Sequence, residues 1–125
     1  MKKENYELYI NKTIEFRADL DKTCGKMIYF TVKSNGYIGH GPIYLDEITL
    51  KSAIKILSKM VETLDGEFIL QDVESLEYYI KINVSDNGVR VEGRIGDYNQ
   101  NQLQFGFLAD QTLLSLLLKV LEQLK

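Results

Sequence analysis

The residue types that carry most protein chemistry are scarce in this chain. It has one cysteine, Cys24, and one histidine, His40. Cysteine and histidine can act as a nucleophile and its base, but no surrounding motif supports such a pair, and a lone cysteine is more often a packed residue. A zinc site would need additional carboxylates, and no metal-ligand spacing is present. We therefore predict no catalytic, metal-binding or cofactor-binding residues.

Glycines and carboxylates give two further candidates for chemistry. The pattern Gly36-x-x-Gly39-x-Gly41 is glycine-rich, but its spacing matches neither the dinucleotide fingerprint nor the P-loop. A bent edge strand or loop explains it better. Paired carboxylates can perform acid–base catalysis when a pocket separates their pKa values. Each pair here falls at the end of a predicted element, where helix capping and solvation explain it: Asp19/Asp21, Asp46/Glu47 and Asp72/Glu74.

Length and composition indicate one domain covering residues 1–125, without an internal disulfide because only one cysteine is present. The net charge of −3 and the scattered basic residues argue against nucleic-acid binding. The longest apolar cluster, Leu113 to Leu118, is too short to span a bilayer, and no secretory signal is visible. We expect a cytoplasmic protein that does not bind membranes, and either a monomer or a weak homodimer.

Alternating apolar residues predict strands in the first part of the chain. The clearest run is Ile14 to Leu20, followed by a turn at Asp21 to Gly25 and a strand around Ile28 to Val32. Tyr6 to Ile10 forms either a short preceding strand or part of the same one. Tyr37 to Leu45 is predicted as an irregular or edge strand, because Pro42 lacks a donor for the ladder.

A change to helical spacing predicts an amphipathic helix from about Leu50 to Leu64, with Asp46 or Thr49 as its cap and Asp65-Gly66 at its end. Further strands follow at Glu67 to Val73, Leu76 to Val84, Val89 to Ile95 and Leu103 to Phe107. A two-residue loop at Asn87-Gly88 or Asp86-Asn87 places the apolar residues of its two strands on one face. Asp110 is expected to cap a final leucine-rich helix.

The order of these elements predicts an α+β fold. Strands come first, then a helix, a three-strand meander and a second helix. We expect a largely antiparallel, curled sheet of about six to seven strands, with both amphipathic helices packed on one face.

The outward face of the predicted meander is the candidate binding surface. It combines charged residues with a tyrosine, which is typical of a solvated sheet and also of a polar interface with an aromatic anchor. A polar loop from Asp97 to Asn101 adds a second exposed tyrosine. The candidate partner-binding residues are Tyr79, Lys81, Arg90, Glu92, Arg94, Asp97, Tyr98 and Gln104.

The second half of the chain resembles the WapI-like family of bacterial polymorphic-toxin immunity proteins. The resemblance covers roughly residues 36 to 124 and is densest from Gly93 to Thr112. Its motifs are Leu64-Asp65-Gly66-Glu67, Val91-Glu92-Gly93-Arg94-Ile95-Gly96-Asp97-Tyr98, Asn101-Gln102-Leu103-Gln104-Phe105-Gly106-Phe107 and Asp110-Gln111-Thr112. It implies a cytosolic, non-enzymatic protein that neutralises a cognate toxin domain by binding it.

Two other functions are compatible with the residues. A small-molecule-binding domain or minor enzyme would need a concave pocket, for example between the curled sheet and a helix. A homo-oligomeric structural module is suggested by the broad apolar surface of the last helix.

Overall fold

The computed structural model describes residues 8–10, 14–19, 26–34, 36–86, 88–96 and 102–125. Over these residues the chain is α+β, with two helices and strands that pair only antiparallel. This much of the predicted fold class is confirmed. The predicted turn at residues 21–25 and the predicted loop at residues 97–101 lie outside the described residues.

The first sheet contains four strands in sequence order. They are β1 (Leu8–Ile10), β2 (Ile14–Asp19), β3 (Lys26–Ser34) and β4 (Tyr37–Leu45). The predicted alternation of apolar residues in β2 is confirmed, since Ile14, Phe16 and Ala18 are all buried. The predicted irregularity of β4 is wrong, because it pairs with β3 along its whole length. Its position at the sheet edge is confirmed, and an edge strand tolerates Pro42.

Helix α1 (Glu47–Thr63) joins the two sheets, and the predicted cap residue Asp46 begins it. The Asp46 carboxylate accepts a hydrogen bond from the Thr49 amide at 2.7 Å. Hydrogen bonds from the side chain and the backbone of Thr49 lower the pKa of Asp46 below its ordinary value of 3.8. The helix ends at Thr63 and is capped by Leu64, whose backbone is left-handed with φ of 55°, and Gly66 then starts the next strand.

The second sheet also contains four strands in sequence order. They are β5 (Gly66–Gln71), β6 (Tyr79–Ser85), β7 (Gly88–Ile95) and β8 (Leu103–Ala109). Ser85 pairs with Gly88, which corresponds to the second of the two predicted hairpin loops. Ile82 therefore lies opposite Val91, and the predicted register of the apolar residues is confirmed.

The predicted start of β6 at Leu76 is wrong by three residues, because the strand begins at Tyr79. Leu76 is 67% exposed and does not face the core. The amides of Glu74 and Ser75 donate to the carboxylate of Asp72, which turns the backbone before it can extend.

Helix α2 (Thr112–Gln123) begins close to the predicted cap. Asp110 accepts a hydrogen bond from the Thr112 amide at 3.0 Å, although Gln111 is the residue that flanks the helix. The leucine stripe of α2 is buried in the protein's own core at Leu113, Leu114, Leu117, Leu121 and Leu124. The apolar surface that suggested a homo-oligomer is therefore largely used within the chain.

One hydrophobic core unites both sheets and both helices. The helices pack against each other, α1 against β5, and α2 against β1 and β2. The prediction of a single sheet is wrong, because α1 interrupts the ladder and β4 does not pair with β5. The described strands number eight with the three-residue strand β1 and seven without it, in agreement with the predicted number of about six to seven.

The two sheets meet where β4 lies against the end of β7 and the start of β8. We call this contact the seam. A side chain at Gly39 would overlap Leu103, and one at Gly41 would overlap the carbonyl oxygen of Gly96. Glycine permits this close backbone approach because it has no Cβ. The glycine-rich pattern of the sequence therefore serves packing between sheets.

Within the described part of the chain, no helix combines the length and the apolar character that crossing a membrane requires.

The seam makes a testable prediction about stability. We expect Gly41→Ala to lower the free energy of unfolding by about 1–3 kcal/mol, the usual cost of overpacking a tight contact. Gly106→Ala is the matched control, because the atom nearest to its added Cβ would belong to the flexible Arg90 side chain, at 3.4 Å, and the next two atoms, from Glu92 and Val91, lie at ordinary contact distances of 3.8 and 3.9 Å. Urea unfolding curves measure both variants. Equal stability of the two variants would contradict the role of the seam.

Candidate functional site

The outward face of the second sheet carries six of the eight predicted partner-binding residues. The strand register places Tyr79, Arg94 and Gln104 in one row across β6, β7 and β8. Lys81 and Glu92 lie opposite each other in the next row, and Arg90 belongs to the third. All six are half-buried or exposed, so the sequence-based prediction of one shared face is confirmed for them. Asp97 and Tyr98 lie outside the described residues.

Charged side chains on this face are held in a connected ladder. The Lys81 ammonium lies 3.4 Å from Glu67 on β5 and 3.9 Å from Glu92 on β7. The Arg90 guanidinium lies 3.7 Å from the other oxygen of Glu92. Exposed ion pairs contribute only about 0–1 kcal/mol each to stability. Their main effect here is to orient the side chains across three strands.

Arg94 differs from the other two basic residues of the face. Its guanidinium donates to the neutral side chain of Gln104 at 3.2 Å and forms no ion pair with any described residue. A half-buried arginine with one neutral partner keeps donors for a further acceptor, since guanidinium carries five N–H groups. Arg94 is therefore the residue of this face best placed to pair with a carboxylate from another molecule.

Two exposed apolar side chains flank the charged ladder. Ile69 on β5 is 53% exposed, and Leu108 on β8 is 71% exposed. Sequence analysis missed both as site residues, although the alternation in β5 and β8 could have placed them outward. We call the whole surface the ladder face. It comprises Glu67, Ile69, Gln71, Tyr79, Lys81, Asn83, Arg90, Glu92, Arg94, Gln104 and Leu108.

Of the two residues considered as a catalytic pair, only His40 lies among the described residues. His40 is exposed on β4, and its Nδ1 atom forms a 2.6 Å hydrogen bond with the Tyr29 hydroxyl. Cys24 lies outside the described residues. Among the residues that are described, no group of three or more histidine, cysteine or acidic side chains could hold a metal ion.

A cleft that sequence analysis did not find lies between the outward side of β4 and the segment joining β5 to β6. Its volume is about 180 Å³. Its lining residues are Pro42, Tyr44, Asp72, Glu74, Ser75, Tyr78 and Gly96. The predicted alternative was a pocket between a sheet and a helix, whereas none of these lining residues belongs to a helix.

Asp72 builds one wall of this cleft and ties the two sheets together. Its side chain accepts hydrogen bonds from the backbone amides of Tyr44, at 2.6 Å, Ser75, at 2.7 Å, and Glu74, at 3.1 Å. The Val73 amide also donates to the Tyr44 carbonyl at 3.1 Å. Asp72 is only 4% exposed, so these bonds are shielded from water. The sequence offered Asp72 only as part of a carboxylate pair.

No family model matches the chain, and no curated protein matches it. The resemblance to WapI-like immunity proteins therefore stays a prediction based on the motifs quoted above.

The Asp72 hydrogen bonds make a second prediction about stability. Asp72→Asn keeps the shape of the side chain but turns one acceptor into a donor that faces backbone N–H groups. We expect a loss of about 1–3 kcal/mol in the free energy of unfolding, the cost of leaving buried donors unpaired.

Asp110→Asn is the matched control, since it removes the same charge where the carboxylate accepts one exposed hydrogen bond. Its unfolding free energy should change by less than about 0.5 kcal/mol, as is usual for surface positions. Chemical denaturation compares the two variants. A wild-type midpoint for Asp72→Asn would show that the hydrogen bonds of the Asp72 carboxylate are dispensable for stability.

Proposed function

We propose that this chain is an immunity-type binding protein, which neutralises a cognate bacterial toxin domain by covering it. The ladder face forms the centre of the contact. Neutralisation is steric and electrostatic, and it requires no chemistry from the chain itself. The toxin domain is the protein partner implied by the family resemblance, and it is expected to be encoded beside this chain.

The observation that carries the proposal is the composition of the ladder face. It is a four-stranded surface on which oriented charges lie between the exposed side chains of Ile69 and Leu108. Protein interfaces combine apolar and aromatic contact residues with polar groups whose positions are fixed. Ion pairs between neighbouring strands already restrict these side chains. The side chains therefore lose less conformational entropy on binding, which favours tight association.

The charge pattern supports a partner with a carboxylate opposite Arg94. The remaining charges of the ladder face are partly compensated within the face, at Lys81, Glu67, Glu92 and Arg90. A carboxylate that reaches Arg94 can form a bidentate pair, which is among the strongest polar contacts between proteins. Charge complementarity of this kind also selects against wrong partners.

The area of the ladder face can be compared with that of a typical protein interface. Four strands about 4.8 Å apart and about six residues long present a projected area of roughly 400 Å². A standard interface buries about 800 Å² on each partner. The ladder face is thus large enough for the centre of an interface, and the partner must also cover neighbouring surface.

Co-purification with the neighbouring toxin domain tests the proposal. We expect the two purified proteins to co-elute from a size-exclusion column, and the activity of the toxin domain to be lost in the complex. If the two proteins elute separately and the toxin keeps its activity, the proposal fails.

A charge reversal then locates the contact. Arg94→Glu should weaken the complex at least tenfold, because it replaces the donor of the expected ion pair with a like charge. Lys55→Glu is the matched control, since it makes the same charge change on the exposed side of α1. Isothermal titration calorimetry measures both dissociation constants. Equal affinities would place the contact away from the ladder face.

A further inference from the structure

The cleft beside β4 has the chemistry of a cation site. The buried carboxylate of Asp72 and the exposed carboxylate of Glu74 both line it. Three backbone amides satisfy the hydrogen bonds of Asp72, but they carry no net charge that would balance it. Neither carboxylate forms an ion pair with a basic side chain in the described part of the chain. Buried carboxylates are rarely left without a counter-charge.

The remaining walls of the cleft suit a cation that is attached to an apolar stem. Tyr44, Tyr78 and Pro42 provide aromatic and aliphatic surface beside the carboxylates. Aromatic rings attract ammonium and guanidinium groups, and the attraction grows when the cation is shielded from water. Methylene groups of a long basic side chain can pack on the same surface.

The size of the cleft agrees with one such side chain. A cavity of about 150 Å³ holds a benzene molecule, which has six non-hydrogen atoms. An arginine side chain beyond Cβ also has six, and the cleft offers about 180 Å³. We propose that the cleft receives a basic side chain, best an arginine, from a polypeptide that binds this protein.

The position of the cleft links it to the ladder face. Three parts of the chain lie at one end of the second sheet: the loop from Asp72 to Tyr78, the residue Gly96, and the start of β8. The row formed by Tyr79, Arg94 and Gln104 lies at the same end. A partner centred on the ladder face can therefore extend into the cleft. The inference rests on the proposed function in this respect, because the toxin domain supplies the arginine.

A small probe tests the cleft without the toxin domain. N-acetyl-arginine amide is titrated into the ¹⁵N-labelled protein, and amide shifts are followed by NMR. We expect saturable shifts at Ser75, Tyr78 and Gly96, with a dissociation constant on the order of 1–10 mM for so small a ligand. N-acetyl-citrulline amide has nearly the same shape without the charge, and should bind at least fivefold more weakly. Equal binding of the two probes would overturn the inference, as would shifts confined to other surfaces.

Two variants at the rim add to this test, and Asp72 is left intact because the fold depends on it. Glu74→Gln and Tyr78→Leu should each weaken arginine binding at least threefold. Glu62→Gln removes the same charge from exposed α1 and should leave binding unchanged. A Glu74→Gln variant that binds like the Glu62→Gln control would contradict the electrostatic role of the cleft.

The two proposals can fail separately. Arginine binding in the cleft without co-elution of the toxin domain would support a cation site and overturn the proposed function. Co-elution without any response to the arginine probe would support the proposed function and overturn the proposal that the cleft binds an arginine side chain.

Discussion

The architecture depends on how closely β4 can approach the second sheet. Two kinds of contact produce this approach, and both come from a single strand. Gly39 and Gly41 remove the side chains that would hold the sheets apart. A few residues further along, the Tyr44 amide donates to the buried carboxylate of Asp72, which fixes the end of β5 against the first sheet. Close packing and a shielded charge-assisted hydrogen bond thus act at the same place.

The two surfaces proposed for binding follow from this arrangement. Because the helices and the first sheet cover the inner side of the second sheet, its outer side stays open as the ladder face. Because Asp72 holds the β5–β6 segment beside β4, a cleft forms between them with a carboxylate in its wall. One surface offers a rigid array of alternating charges, and the other offers a concave acidic and aromatic site. In both surfaces, contacts within the chain hold the side chains in place, and such preorganisation lowers the entropy that binding costs.

Much of the fold could be predicted from local residue patterns. Period-two alternation located β2 and β7, helical spacing located α1, and Asp46 was identified as one of two possible caps. The outward residues of the meander were also predictable, since a hairpin register follows from the apolar faces. These features depend on neighbours in sequence, and for that reason one sequence is enough to find them.

Long-range contacts account for what the sequence did not reveal. The close packing of the two sheets depends on Gly39 meeting Leu103, residues that are far apart in the chain. The late start of β6 depends on a side chain, Asp72, that competes with the strand for backbone amides. The cleft needs both of these contacts, so no spacing of residues within one segment could predict it.

Every pairing among the described strands joins strands that are consecutive in the sequence. Such connections keep contacts local, and local contacts favour rapid folding because little loop-closure entropy is lost before they form. The contacts of α2 are of the opposite kind, because this helix packs on β1, on β2 and on α1. Packing of α2 on β1 and β2 joins residues from the two ends of the described chain, so it loses more loop-closure entropy than any of the hairpins does. The shared interior therefore depends on the contacts that are costliest to form.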